Sequence, residues 1–527
     1  MQTTMGLIHC CSALLLLAFI PKGCHGGNIL VLPTEGSHWI NMDILVKALH
    51  SRGHNITVVR SNNSWYIKEK SSYYNSYTVQ VERSIDQKFM TEFIGKVMEF
   101  ETGSQTLTEY IGMMRYFLEI HHMGGELVSA MLEDKELMRI LKDSKFDLVL
   151  TDPTCGLGVI LAKYLNLPLV YNVRMALAGE AHLAIAPSPL SFVPVTGSGN
   201  TDKMTFIQRV KNVFWQLQLF ILQEAVTKGI YQKLCDKYLG SDINFNHLML
   251  EADIWLMRVD FVLEFPRPTM PNVVYIGGFQ CEPAMPLPEH LEEFVQSSGE
   301  HGVIIMSLGS FVKELPADIT NKIAATFAKL PQRVIWRHKG ARPATLGNNT
   351  LIVDWMPQKD LLGHPKVKLF VAHGGTNGIY EALCHGVPVV GLPLFYDQYD
   401  NLVRLKERGA AKFITIQTVL KDNNFQDAIQ EVLNEPSCRS NMQRLSRLHK
   451  DQPMKPLDTA LFWIEFVMRH KGAAHLRTES YRLPWYSYHS VDVFLFLAGA
   501  LLLVIFTVFI FIRCLCTTMC KSKVKCD

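Results

Sequence analysis

Residues 369–401 read LFVAHGGTNGIYEALCHGVPVVGLPLFYDQYDN, and their reading decides the fold. LFVA and VPVVGLPL are almost wholly apolar, as strands buried on both faces of a parallel sheet are. Between them IYEALCHG has helical spacing and stops on glycine. Strand, glycine-rich turn, helix, strand is one βαβ unit of a doubly wound α/β sheet.

The same alternation extends in both directions. Upstream lie GVIIMSLGS from residue 302, RVIWRH, TLIVDWMP and VKLFVAH, all strand-like. Earlier still, NILVLP, the helical HWINMDILVKALHSRG and HNITVVR form another βαβ unit, and FDLVLTD, GVILAKYLNL and PLVYNV a further one. Proline-rich FPRPTMPN and CEPAMPLPEH interrupt the pattern, which sets a boundary near 282–300. The expected plan is two Rossmann-like domains, 27–285 and 286–450, facing a cleft, followed by a helical return and juxtamembrane segment at 451–490. Ligands of such sheets bind beyond the carboxyl ends of the strands. The stretches 60–145 and 180–250 are irregular, and amphipathic VKNVFWQLQLFILQEAV has three readings: cover over an apolar pocket, membrane-surface contact, or core.

At 527 residues the chain exceeds one hydrophobic core, and neither end reads as core. CSALLLLAFIPKGCHGG fits a cleaved signal peptide, residues 1–26. Residues 491–512 contain about 20 apolar positions, enough to span a bilayer. The tail at 513–527 carries Arg513, Lys521, Lys523 and Lys525 against Asp527, which accounts for the formal charge of +3 and leaves the rest near neutral. Nothing in that balance suggests nucleic acid. A basic flank marks the cytoplasmic side, so the body is expected to be lumenal, with type I topology. Lys523 and Lys525 resemble a dilysine endoplasmic-reticulum retrieval signal; a stop-transfer cluster is the alternative. In a lumenal body Asn55, Asn62 and Asn348 are glycosylation candidates. The body cysteines Cys155, Cys235, Cys281, Cys384 and Cys438 are too scattered for a disulfide framework or a metal cluster.

Chemistry gathers at the strand ends. His373 follows VKLFVA, and Gly374, Gly375, Thr376, Asn377 and Gly378 lead into a helix whose unpaired N–H groups attract a phosphate. Asp397 and Gln398, at the next strand end, suit vicinal sugar hydroxyls, and Glu381 suits a ribose. Trp355 offers a stacking face and Gln358 an amide for a uracil. In the other domain His38 opens a helix within PTEGSHWI, and Asp152 ends FDLVLTD. A neutral imidazole is a fitting base for an alcohol proton, with the carboxylate orienting it.

WMPQKDLLGHPKVKLFVAHGGTNGIYEALCHGVPVVGLPLFYDQYDN resembles the donor signature of UDP-glycosyltransferases, specifically the vertebrate UDP-glucuronosyltransferase branch. SLGS at 307–310, VPV at 193–195, the apolar span and the basic tail support the likeness, which covers essentially the whole chain. The resemblance implies a GT-B fold with the acceptor on the N-terminal domain and the nucleotide sugar on the C-terminal one. It implies that Ser310 and His373 contact the diphosphate, Trp355 and Gln358 the uracil, Glu381 the ribose, and Asp397 and Gln398 the sugar. Gly375 and Asn377 belong to the same donor set, and Arg337 is a candidate contact near the sugar carboxylate. Tyr396 and Tyr399 stand where the family more often has a small residue and proline.

The implied activity is inverting transfer of glucuronic acid from UDP-glucuronate, a co-substrate, to small lipophilic acceptors. The alternatives are UDP-glucose, UDP-galactose or UDP-N-acetylglucosamine as donor, or a silent partner that hetero-oligomerises with active relatives. Homo-oligomers and contact with membrane lipid also fit an anchored member of this family. No Asp-x-Asp is present, so no metal cofactor is expected. Competing motifs fail: GLGVIL has Leu161 where a dinucleotide fingerprint needs Gly or Ala, no GxSxG occurs, and His121–His122 lack HExxH spacing and read as surface histidines.

Overall fold

The structure is a computed structural model that describes residues 26–177, 179–309, 312 and 314–523, with side chains through residue 519. The signal segment up to residue 25, Ser310 and residues 524–527, with Lys525, therefore lie outside the described residues.

The first half builds a sheet from β1 (Asn28–Leu32), β2 (Asn55–Ser61), β3 (Asn75–Val79), β4 (Leu148–Thr151), β5 (Leu169–Val173), β6 (Ile254–Met257) and β7 (Val273–Tyr275). Their order is β3-β2-β1-β4-β5-β6-β7, parallel throughout. Helix α1 (Ser37–Ser51) joins β1 to β2. Its Trp39, Met42, Leu45, Val46 and Leu49 recur at helical spacing and are buried against the sheet, roughly 1.5–3 kcal/mol for each large side chain. His38 falls off that stripe.

The second half holds β8 (Val303–Ser307), β9 (Arg333–Arg337), β10 (Thr350–Val353), β11 (Val367–Ala372), β12 (Val389–Gly391) and β13 (Ala411–Phe413). The order β10-β9-β8-β11-β12-β13 is again all parallel. Two apolar clusters cover its two faces, which is why its strands lack polar alternation. The helix Thr376–His385 joins β11 to β12, and Gln398–Glu407 joins β12 to β13.

The halves interlock. Ile94 and Met98, from a helix of the first half, pack in the cluster of the second sheet. Conversely, the helix Pro456–His470 returns to the first, where Ala460, Leu461, Ile464, Val467 and Met468 join its core. Cys281 and Cys384, 103 residues apart, form a disulfide that their scattered spacing does not reveal.

Two expectations are corrected. His121 is not a surface histidine: it is buried, with Nδ1 2.9 Å from the Tyr231 hydroxyl, because the helix carrying it packs that face against residues some 110 positions away. Burial pushes its pKa down to about 4. The core reading of VKNVFWQLQLFILQEAV also fails, since the helix Phe206–Val226 exposes Ile207, Val210, Phe214, Leu217 and Ile221 along one stripe.

Residues from Arg477 onward form a separate unit. Its helix Val491–Lys523 contains the apolar run read from sequence at 491–512 and is long and apolar enough to cross a membrane. Exposed Trp485, Tyr486 and Tyr488 precede it, residue types favoured at a lipid–water interface.

Candidate active site

The first half of the site rises from neighbouring strands. β1 and β4 pair through Leu32 and Thr151. Beyond β1 the chain turns at Gly36, φ 70°, into α1, which sets His38 in the first helical turn. Asp152 is the first residue past β4. His38 Nδ1 lies 2.6 Å from Asp152 Oδ2, with side-chain exposures of 24% and 1%. Thr154 donates to Asp152 Oδ1 from its amide at 3.0 Å and its hydroxyl at 2.6 Å, so both carboxylate oxygens are engaged. Burial alone would raise the pKa of Asp152. The charge and hydrogen bond of His38, with Arg258 and Thr154, outweigh it and hold the group at about 2. An ionised carboxylate accepts Nδ1–H and leaves the Nε2 lone pair to act as base.

The second half of the site begins where β11 ends. His373 follows Ala372, and Gly374 has φ 90°, where a Cβ would also meet the Gln398 carbonyl at 2.7 Å. The following helix starts at Thr376 with Gly375 before it and no side-chain cap, so its first amides are free to meet an anion. A Cβ on Gly309 or Gly375 would fall 2.6 or 2.4 Å from His373 Nε2; the imidazole fits because both flanks are glycine. Burial holds His373 down at about 4 against the pull of Asp397 and the Ser307 backbone, so the ring is neutral at pH 7. Arg337 donates from Nη1 to the Gly309 carbonyl, and burial lowers its pKa.

Gln358 Nε2 donates to Glu381 Oε2 at 2.5 Å, which unites the expected uracil and ribose residues. Burial raises the Glu381 pKa while the Gln358 hydrogen bond opposes it. Trp355 is 71% exposed, its indole open to a stacking partner. Asp397 Oδ2 accepts from Thr376 Oγ1 and Asn401 Nδ2, each at 2.9 Å. Gln398 is buried, and its Oε1 accepts from the Leu394 and Phe395 amides at 2.9 and 3.2 Å. Part of its amide therefore shapes the loop. The Asn377 side-chain oxygen accepts from Asn41 Nδ2 at 2.9 Å, a bond from one half to the other. The three sequon asparagines, Asn55, Asn62 and Asn348, are exposed.

Sequence reading missed Asn41, Arg174, Arg258 and Asn401. Arg258 Nη2 lies 3.5 Å from Asp152 Oδ2, and Arg174 Nε 3.7 Å from Asp397 Oδ2. A signal for the two arginines exists: each is the first residue after an all-buried strand, β5 or β6, as Asp152 is after β4.

Two parallel sheets, one edged by a His–Asp pair and the other by a glycine-rich helix start, define a glycosyltransferase of the GT-B class. The calicheamicin glycosyltransferase CalG4 superposes with a TM-score of 0.58 at 18% identity, over 84% of this chain and 99% of its own. Glycosyltransferase VinC, solved in complex with DTDP, gives 0.54 at 18% identity, over 84% and 100%. These two likenesses establish the fold. The family model described as "UDP-glucoronosyl and UDP-glucosyl transferase" matches residues 27–526. UDP-glucuronosyltransferase 2B1 of Rattus norvegicus is 44% identical over 514 residues, 96% of each chain. UDP-glucuronosyltransferase 2A2 of Homo sapiens is 42% identical over 503 residues, 94% of this chain and 92% of its own. The chain belongs to the family of UDP-glucuronosyl and UDP-glucosyl transferases and is an enzyme of that class.

Proposed function

We propose that the protein transfers glucuronic acid from UDP-glucuronate to a hydroxyl of small lipophilic acceptors, giving β-glucuronides. The observation that carries this reading is the joining of the two half-sites: the helix bearing His38 is hydrogen-bonded through Asn41 to Asn377, in the first turn of the glycine-led helix. His38 Nε2 takes the acceptor proton as the acceptor oxygen forms its bond to the anomeric carbon. The bond from that carbon to the diphosphate breaks, and its electron pair leaves with UDP, whose charge meets the amides at Gly375–Asn377, His373 and Ser310. Attack opposite the leaving group inverts the anomeric centre. Gln358 and Trp355 hold the uracil, Glu381 the ribose, Asp397 and Gln398 the sugar hydroxyls, and Arg337 stands for its carboxylate. This chemistry calls for no metal.

In this reading the enzyme is an endoplasmic-reticulum membrane protein anchored by its apolar helix, with the body lumenal and the exposed Asn55, Asn62 and Asn348 open to glycosylation, which the length and apolar character of that helix support. The stripe Ile207, Val210, Phe214, Leu217 and Ile221 rests on lipid, close to where lipophilic acceptors partition. The relatives named glucuronosyltransferases favour this donor over glucose, galactose or N-acetylglucosamine, and the intact His38–Asp152 pair speaks against a silent partner.

The test is a donor screen. Membranes containing the protein are incubated with each UDP-sugar and a panel of phenols, and products are read by mass spectrometry. Glucuronides from UDP-glucuronate, lost in His38→Ala while UDP binding persists, are the expected result. Transfer confined to another hexose, or no turnover across the panel, overturns the reading.

A further inference from the structure

A closed ring of buried charges lies between the two sheets. Arg174, Glu180 and Glu264 come from the first half, and Arg404 from the helix Gln398–Glu407 of the second. Glu180 Oε1 accepts from Arg174 Nη2 at 3.1 Å and from Arg404 Nη2 at 2.7 Å. Glu264 Oε1 accepts from Arg174 Nη1 at 2.7 Å, and Arg404 Nε lies 2.9 Å from Glu264 Oε2. All four side chains are at most 5% exposed. A single charge left unpaired at such depth would be strongly destabilising, so the alternating signs hold only while that helix sits against the first half.

Asn401, one turn before Arg404 and 1% exposed, stands between this ring and the donor site. Its Oδ1 accepts from Arg174 Nη2 at 2.9 Å and Arg404 Nη1 at 3.1 Å. Its Nδ2 donates to Asp397 Oδ2 at 2.9 Å and to the Gly374 carbonyl at 3.0 Å. Guanidinium groups only donate, and a carboxylate and a carbonyl only accept, so one orientation of the amide satisfies both sides.

We propose that Asn401 is a positioning residue for the donor sugar. Its amide, locked by Arg174 and Arg404, fixes the Asp397 carboxylate and the Gly374 peptide, so the donor pocket is completed by an arginine from the acceptor half. The inference rests on the reading of Asp397 as the acceptor for sugar hydroxyls.

The full-length membrane enzyme and three variants, with Asn401→Ala in reserve, separate the possibilities. Asp397→Asn removes the carboxylate itself. Asn401→Asp keeps the oxygens facing both arginines but turns an oxygen toward Asp397 and Gly374. Arg174→Lys keeps the charge and loses the fork that reaches two glutamates and Asn401 together. UDP affinity, donor KM, kcat and Tm are measured for each. The expected pattern is a rise of about tenfold or more in the KM for UDP-glucuronate in Asn401→Asp, with UDP affinity within about threefold of wild type. Arg174→Lys moves the same ratio in the same direction by less. If UDP and donor affinity fall in step with Tm in Asn401→Asp and Arg174→Lys, the role is structural and the proposal is overturned. If Asp397→Asn alone shifts the ratio, Asp397 acts without the ring and the proposal is likewise overturned. If Asp397→Asn shifts nothing, the reading of Asp397 falls and takes the inference with it. Where Asn401→Asp fails to fold, the ratio in Asn401→Ala decides, because Arg174 also lies 3.7 Å from Asp397 and its substitution reaches that carboxylate directly.

Discussion

Asn41 Nδ2 donates to Asn377 Oδ1 across 2.9 Å, and the same nitrogen donates to the Ser37 carbonyl at 3.0 Å. Asn41 therefore ties the first turn of the His38 helix to the first turn of the helix behind the glycine-rich loop. Asn41→Ala is expected to lower kcat/KM about tenfold by loosening that alignment, with a smaller effect on UDP affinity. Steady-state kinetics beside calorimetric UDP binding check it. Equal losses in both would mean that Asn41 serves the nucleotide site alone.

Asp152→Asn tests the orienting carboxylate separately from the base. An amide in that position can donate to His38 Nδ1, which moves the ring proton to Nε2 and removes the lone pair that the proposed function assigns to the acceptor proton. The expected loss in kcat is about 10²–10⁴-fold, with donor KM little changed, because Asp152 makes its hydrogen bonds to His38 and Thr154. A kcat near wild type would show that the imidazole keeps its working tautomer without the carboxylate.

Gly375→Ala isolates the anion turn. The backbone there, φ −63° and ψ 141°, is open to alanine, so the methyl group acts through space alone, 2.4 Å from His373 Nε2. The imidazole must move from the place where the proposed function has it meet the diphosphate. UDP affinity is expected to fall about tenfold or more while Tm changes little; a wild-type affinity would remove His373 from the diphosphate site.

How much of this was legible in the sequence depends on chain distance. The buried strands announce themselves because both faces are covered, and His373 and Asp152 stand out as the first residues beyond such runs. Glycine beside His373 is legible as a pattern, and the fold adds what a side chain there would strike, the His373 imidazole. Partnerships between halves are not legible. Asn41 and Asn377 are 336 positions apart, and Arg174 and Asn401 227, and each residue alone passes for ordinary helix or loop polarity. His121 misleads for the same reason, since the face that buries it arrives from Tyr231.

Asp400 supplies a pH signature. Its Oδ2 accepts from the Gly197 amide at 2.7 Å and its Oδ1 from the Gly199 amide at 3.1 Å, clamping a first-half loop to the helix Gln398–Glu407. Burial raises its pKa to about 6 although Arg404 and the two amides pull the other way. A carboxyl raised above its ordinary 3.8 binds its proton more readily folded than unfolded. Its contribution to stability is therefore full below about pH 4 and is lost as pH rises through about 6. Asp152 has the opposite sign: held at about 2, it contributes above about pH 4, and that contribution is lost as pH falls toward 2. Between pH 4 and 6 Asp400 is the group of the two that titrates, so Asp400→Asn is expected to flatten the Tm profile there relative to wild type and leave the acid limb below pH 4 in place. Parallel thermal melts in steps of about half a pH unit read both limbs, and an unchanged slope between 4 and 6 would assign that titration to another group.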